Sequence, residues 1–219
     1  MSILSDYPRL ESVARYAEEH IRASAAQASQ HPAFAGPDYR WQHTLRVTQY
    51  GIRIAQVEGA NVELVAAACL LHDSEWFSDR GKDERGHGRL AGWVIRSFLE
   101  QIGYSAAEVD NISYSVAVHV DGRAGFEHEH TLEAKIVSDA DNIDRFGALR
   151  TILYCIDELD DYPALIDKLT KRLKRLEDFR QQQVMETAAG NRLFNEKLEQ
   201  QIDFYKKLIV ESRLTRLPD

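Results

Sequence analysis

His72 and Asp73 are adjacent at the end of an apolar run over residues 64–71. Neighbouring side chains on a helix diverge by about 100°, but at a helix end both can reach the same point. A neutral imidazole and a carboxylate together make a mixed nitrogen and oxygen site that suits a divalent transition metal. A helix that ends in histidine because of its dipole, followed by a loop aspartate, would produce the same pair. The pair alone therefore leaves both interpretations open.

Other histidines and aspartates accompany this pair at long range. His43 lies upstream within WQHTLRV, and Asp141 lies downstream within SDADNID. Both segments are helix-like and contain apolar residues, and an unpaired polar group would be costly to bury beside these. Two more histidines, His87 and His119, stand between them. The chain thus carries one adjacent His-Asp pair, and further histidines and an aspartate lie on other predicted helices.

The order of these residues resembles that of the HD superfamily of metal-dependent phosphohydrolases. The resemblance covers about residues 40–150. Within it, Asp139, Asp141 and Asp144 followed by Gly147-Ala148 look most like a bacterial subgroup of small, stand-alone HD hydrolases. The resemblance implies hydrolysis of a phosphate ester or anhydride of a small molecule, with a nucleotide as the favoured substrate.

By the same resemblance, one divalent metal ion would be held by four ligands, which are His43, His72, Asp73 and Asp141. Imidazole ligands favour manganese, iron, cobalt or nickel, and magnesium is possible but less favoured. Such an ion polarises a phosphoryl oxygen and acidifies its bound water. Asp73 therefore has a catalytic as well as a ligating role in this prediction.

Several other residues are candidates for the site. Glu75, just past the pair, is a candidate general acid or base, although a solvated loop acid fits equally well. Arg46 shares the helix face of His43 and could hold a phosphate or pair with a buried acid. Asp139 and Asp144 are candidate partners of the metal ligands.

Substrate binding is assigned to two histidines and to nearby basic residues. His87 and His119 would contact a substrate phosphate, or else bind a second metal as in dinuclear relatives. Arg85 and Arg89, and more weakly Lys82, would neutralise phosphate charge.

Composition limits the partners. Lysine and arginine total 27 against 35 acidic residues, which gives a net charge of −8. This charge argues against binding of a long nucleic acid by the protein. No apolar run approaches the roughly 20 residues that span a bilayer, and the N-terminus lacks the pattern of a secretory signal. We expect a cytoplasmic protein without a membrane partner, with a homo-oligomer left open. Cys69 and Cys155 are predicted to be small buried hydrophobes.

The fold is predicted to be all-α. Helical periodicity places helices at about 8–27, 38–58, 61–72, 89–101, 105–119, 132–141, 143–159 and 163–213, the last broken near residues 189–191. We expect a single HD-type domain over 1–219, with a metal core at about 40–150. A helical extension at about 160–217 should pack back on that core, because its apolar stripe needs a partner surface.

Two other functions stay open. His43, His72, Asp73, His87, His119 and Asp141 make a six-ligand set like that of di-iron oxygenases in the same superfamily. A regulatory ligand-binding module with a vestigial site is the other, although the complete ligand set argues against it.

Overall fold

The protein is all-α in the ranges that its computed structural model describes, which are 6–27, 36–78, 86–155 and 161–214. No strand occurs there, so the predicted fold class is confirmed. In chain order the helices are α1 (Arg9–Gln27), α2 (Pro37–Glu58), α3 (Val62–Leu71), α4 (His87–Gln101), α5 (Ala106–Val118), α6 (Leu132–Asp144), α7 (Ala148–Cys155), α8 (Tyr162–Phe179) and α9 (Ala188–Ser212). They form two compact units, Met1–Asn142 and Ile143–Asp219. The predicted packing of the extension on the core stays a prediction.

Helix α3 is the centre of the first unit. It packs against α1, α2 and α5, and α5 packs in turn on α4. Residues 64–71 are all buried, as expected for a helix that is apolar on every side. The Asn61 side chain accepts hydrogen bonds from the backbone N–H groups of Glu63 and Leu64, which confirms the predicted N-cap.

Two glycines allow close approach of the helices that carry the histidines. A Cβ built on Gly51 of α2 would lie 2.6 Å from Sγ of Cys69 in α3. A Cβ on Gly92 of α4 would lie 2.7 Å from the carbonyl oxygen of Ser113 in α5. Neither contact leaves room for a side chain. The two glycines therefore set how near α2 lies to α3, and α4 to α5.

The predicted helix ends agree with the structure except in the C-terminal half. Helix α6 continues to Asp144 without the break predicted at residue 142. The helix predicted from residue 143 begins only at Ala148. The break predicted at 189–191 is wrong, since α8 ends at Phe179 and α9 begins at Ala188. The reason is the cap: Oγ1 of Thr187 accepts a hydrogen bond from the N–H of Gly190. Residues 189–191 thus form the first turn of α9.

The second unit has its own apolar cluster. The ring of Phe146 makes edge contacts with the rings of Phe179 and Phe194, at centroid distances of 5.8 and 4.7 Å. Gln201 is buried and donates a 2.8 Å hydrogen bond to Oγ1 of Thr151.

No helix in the described parts of the chain is long and apolar enough to cross a membrane.

Candidate metal centre

Four side chains from three places in the first unit meet at one point. Nε2 of His43 lies 3.3 Å from Nε2 of His72, 3.5 Å from Oδ2 of Asp73 and 3.2 Å from Oδ1 of Asp141. Nε2 of His72 lies 3.2 Å from Oδ2 of Asp73. All four residues are buried. The tertiary structure thus brings together the four residues that the resemblance implied as ligands.

The tautomer of His72 is set by the backbone. Its Nδ1 lies 2.7 Å from the carbonyl oxygen of Cys69. Because a carbonyl oxygen can only accept, Nδ1 must carry the proton. In the neutral ring Nε2 then has a free lone pair, which points to His43 and Asp73. A backbone carbonyl that orients a ligand histidine in this way is common in metal sites.

A second group lies on the other side of the same carboxylate. Oδ1 of Asp73 is 3.1 Å from Nε2 of His87 and 3.8 Å from Nε2 of His119. His119 repeats the arrangement of His72, with Nδ1 2.7 Å from the carbonyl oxygen of Val116. Gly88 makes room for this ring, because a Cβ there would lie 3.0 Å from two atoms of the His119 imidazole.

Burial and charge keep these groups in states that can bind a cation. Burial, together with the neighbouring rings of His72 and His87, lowers the pKa of His119 to about 3. Its imidazole is therefore neutral near pH 7. Burial opposes ionisation of Asp73, but His72 and the guanidinium of Arg40 outweigh it and hold the pKa of Asp73 well below its usual value. The site therefore combines a neutral imidazole at His119 with an ionised carboxylate at Asp73.

These donors fit a divalent cation by their chemistry. The potential ligand atoms of His43, His72 and Asp73 all lie within 4.8 Å of one another, and so do those of Asp73, His87 and His119. Buried nitrogen and oxygen donors of this kind suit manganese, iron, cobalt, nickel or zinc better than magnesium. Asp141 adds a second carboxylate next to His43.

Sequence reasoning missed Arg40. Its side chain is buried, and Nη1 lies 2.5 Å from Oδ2 of Asp73. The guanidinium also stacks on the indole of Trp76, 3.6 Å from the ring centroid. The spacing of Arg40 three residues before His43 was the available signal, since such residues share a helix face.

Glu75 is also placed by a residue that the sequence did not single out. Its Oε1 lies 3.0 Å from Nδ1 of His20 in α1, and Glu75 is buried. Burial opposes ionisation of Glu75, but hydrogen bonds from His20 and Ser78 lower its pKa below the usual value. The carboxylate is therefore ionised at neutral pH.

The predicted phosphate-binding cations differ in their surroundings. Arg89 makes a two-pronged ion pair with Asp121, at 3.0 and 2.9 Å. Arg46 is half-buried, with its guanidinium 5.8 Å from the ring centroid of Tyr39. Lys82 and Arg85 lie outside the described residues. Substrate contact by any of them stays a prediction.

The two other aspartates of the motif are on α6. Asp139 and Asp144 are both buried on this helix. Their predicted roles as partners of the metal ligands stay predictions.

Comparisons with known proteins bear on the family and the fold. The HD domain family model matches residues 40–145. No curated protein matches the sequence. Among solved structures, a predicted HD superfamily hydrolase from an uncultured Thermotogales bacterium superposes with a TM-score of 0.67 at 18% identity, covering 96% of this chain and 99% of the other.

Two further structures are similar in the same way. An HD-superfamily hydrolase from Bacillus thuringiensis has a TM-score of 0.63 at 16% identity, covering 94% of this chain and 99% of the other. Bacillus subtilis YpgQ in complex with ADP has a TM-score of 0.60 at 17% identity, covering 91% and 95%. At these identities the likeness establishes the fold.

Proposed function

We propose that the protein is a metal-dependent phosphohydrolase acting on a small molecule, on the basis of the HD domain family model that matches residues 40–145 and of the geometry of the site. The bond cleaved is a phosphate ester or anhydride. The observation that carries the proposal is the convergence of His43, His72, Asp73 and Asp141 in one buried cluster. Buried imidazoles that meet carboxylates in this way are typical of sites that bind a divalent ion.

The chain's own residues supply the remaining parts of a hydrolytic site. A divalent ion bound by the cluster would polarise a phosphoryl oxygen and lower the pKa of a bound water. Glu75 is held by His20 at 3.0 Å, and we assign it the role of general base. His87 and His119 stand on the opposite side of Asp73, where they would contact phosphoryl oxygens. Arg46, Arg85 and Arg89 would balance phosphate charge.

A nucleotide is the substrate class that we favour. The structure of Bacillus subtilis YpgQ, which shares this fold, contains ADP. A nucleotide offers a polyphosphate that needs local cations in addition to one ion. The net charge of −8 disfavours a long nucleic acid as substrate. A cytoplasmic location belongs to the same proposal, because nucleotide pools are found there.

The direct test is a phosphate-release screen. The purified protein would be stripped of metal, loaded in turn with manganese, iron, cobalt, nickel or magnesium, and assayed with nucleoside mono-, di- and triphosphates and simple phosphate esters. The matched control is Asp73→Asn, which keeps the shape of the side chain but loses its charge. We expect release from nucleotides by the wild type alone. Equal, background-level release by both proteins with every metal would refute the proposal.

One observation favours a second candidate, an iron-dependent oxygenase. The two oxygens of Asp73 face different histidine groups, with Oδ2 towards His43 and His72 and Oδ1 towards His87 and His119. Asp73 would then contribute to both groups that could hold an ion. Two irons per chain with oxygen consumption would indicate this function, whereas one divalent ion with phosphate release indicates the hydrolase.

A further inference from the structure

We propose that Arg40 is a positioning residue that weakens metal binding at Asp73 and in exchange keeps the Asp73 carboxylate oriented for turnover. The inference rests on the proposed metal site. Arg40 is a buried cation that pairs with the Asp73 carboxylate.

Arg40 is bound to the carboxylate oxygen that faces the first histidine group. Its Nη1 lies 2.5 Å from Oδ2 of Asp73, and the same oxygen is 3.2 Å from Nε2 of His72 and 3.5 Å from Nε2 of His43. An ion held by His43, His72 and Asp73 would therefore be bound by a carboxylate that already pairs with the guanidinium. A hydrogen bond to Oδ2 also limits rotation of the carboxylate, so that Oδ1 stays 3.1 Å from Nε2 of His87.

The position of Arg40 is itself enforced. The guanidinium stacks on Trp76 at 3.6 Å, and the Trp76 ring in turn makes an edge contact with the ring of His87 at 4.7 Å. Only 8% of Arg40 is exposed, so water screens its charge weakly. A planar guanidinium held between a carboxylate and an indole is a geometry that lysine cannot reproduce.

Two effects of opposite sign follow for metal affinity. Loss of a residue that orients a ligand typically weakens metal binding by about 10- to 100-fold. A buried positive charge that pairs with a carboxylate ligand of a divalent ion repels that ion, and this repulsion is large where screening is weak. Because Asp73 is also held by its place beside His72 and by the neighbouring rings, we expect the repulsion to dominate. Removing the charge of Arg40 should then tighten metal binding.

The experiment separates charge from shape with two substitutions. Arg40→Gln removes the charge but keeps an N–H donor for Oδ2, and Arg40→Lys keeps the charge but loses the planar stack. Arg53→Gln is the matched control, because Arg53 is exposed on the same helix α2. Mn²⁺ affinity of the metal-free proteins is measured by calorimetry, with circular dichroism to confirm the fold and kcat and KM measured on the best nucleotide.

We expect Mn²⁺ affinity and kcat to change in opposite directions, which a purely structural role would not produce. Arg40→Gln should bind Mn²⁺ about tenfold more tightly and yet have a lower kcat than the wild type. Arg40→Lys, which keeps a positive charge but loses the stack, should gain less Mn²⁺ affinity than Arg40→Gln, and Arg53→Gln should match the wild type. Unchanged or weaker Mn²⁺ binding by folded Arg40→Gln would overturn the inference.

A second pair of variants decides the matter if Arg40→Gln does not fold. Trp76→Leu leaves the charge of Arg40 but removes the stack that holds it at Oδ2, whereas Trp76→Phe keeps an aromatic surface. Tighter Mn²⁺ binding by Trp76→Leu than by Trp76→Phe supports the inference, and equal or weaker binding contradicts it. The binding measurement stands even if the wild type releases no phosphate, so failure of the hydrolase proposal is recognised separately.

Discussion

Nε2 of His87 lies 3.1 Å from Oδ1 of Asp73, on the side of the carboxylate away from His43 and His72. One aspartate therefore joins two buried histidine groups. The first group comes from α2 and the end of α3, and the second from the start of α4 and the end of α5. This relationship makes Asp73 the residue on which both groups depend.

Asp73→Ala should abolish metal binding and turnover together. The reason is that each candidate ligand group includes Asp73. Helical content should stay the same, although the melting temperature should fall because Arg40 loses its buried partner. Elemental analysis and circular dichroism of the purified variant are the measurements. Asp178→Ala, at an exposed position on α8, is the control, and full metal occupancy in Asp73→Ala would disprove the assignment.

His119→Ala should keep the first metal ion and lose rate. Loss of one contact to the transition state typically costs about 100- to 1000-fold in turnover. Metal stoichiometry and kcat are measured side by side on His119→Ala and His87→Ala. A fall from two ions per chain to one would instead assign both histidines to a second metal. Wild-type rate and stoichiometry in both variants would leave them a packing role only.

Gly92→Ala should destabilise the protein. Helix propensity alone predicts the opposite, because alanine is favoured over glycine by about 1 kcal/mol in a helix interior. The added Cβ would lie 2.7 Å from the Ser113 carbonyl oxygen, and forcing α4 and α5 apart typically costs about 1–3 kcal/mol. Urea unfolding measures the change, with Ser97→Ala on the exposed face of α4 as the control. A more stable Gly92→Ala variant would mean that the two helices separate easily.

Glu108→Gln should lower stability at pH 7 but not at pH 2. The backbone N–H of Ser105 donates to Oε2 of Glu108 at 2.7 Å, and this hydrogen bond lowers the pKa of Glu108. A carboxylate with a lowered folded pKa stabilises fully above its unfolded value of about 4.3, and the effect is lost as pH falls through the folded pKa. We expect a difference of about 0.5–1 kcal/mol at neutral pH.

The measurement for Glu108→Gln is urea unfolding from pH 2 to pH 7. The exposed Glu100→Gln on α4 provides the control for a change of charge alone. A deficit in Glu108→Gln that stays constant over this pH range would contradict the role of the ionised carboxylate.

Local chemistry in the sequence determined the helices of the first unit. The capping box of Ser105 and Glu108 was readable because both partners lie within one turn. Asn61 and Gly59 marked helix ends for the same reason. The break before α9 was misplaced, because a glycine and an asparagine looked like a stop, whereas the cap formed by Thr187 keeps both within the helix.

The sequence by itself also determined which residue types could bind a metal, since imidazoles and carboxylates in apolar segments are costly unless they have partners. Only the tertiary structure decided how these side chains are divided about Asp73, and that Arg40 and His20 belong to their surroundings. Those relations join residues 33 and 55 positions apart. Spacing along the chain specifies neighbours within a helix turn. Contacts over such separations depend on how closely the helices pack, and for Arg40 and Asp73 the close approach of α2 to α3 is allowed by Gly51.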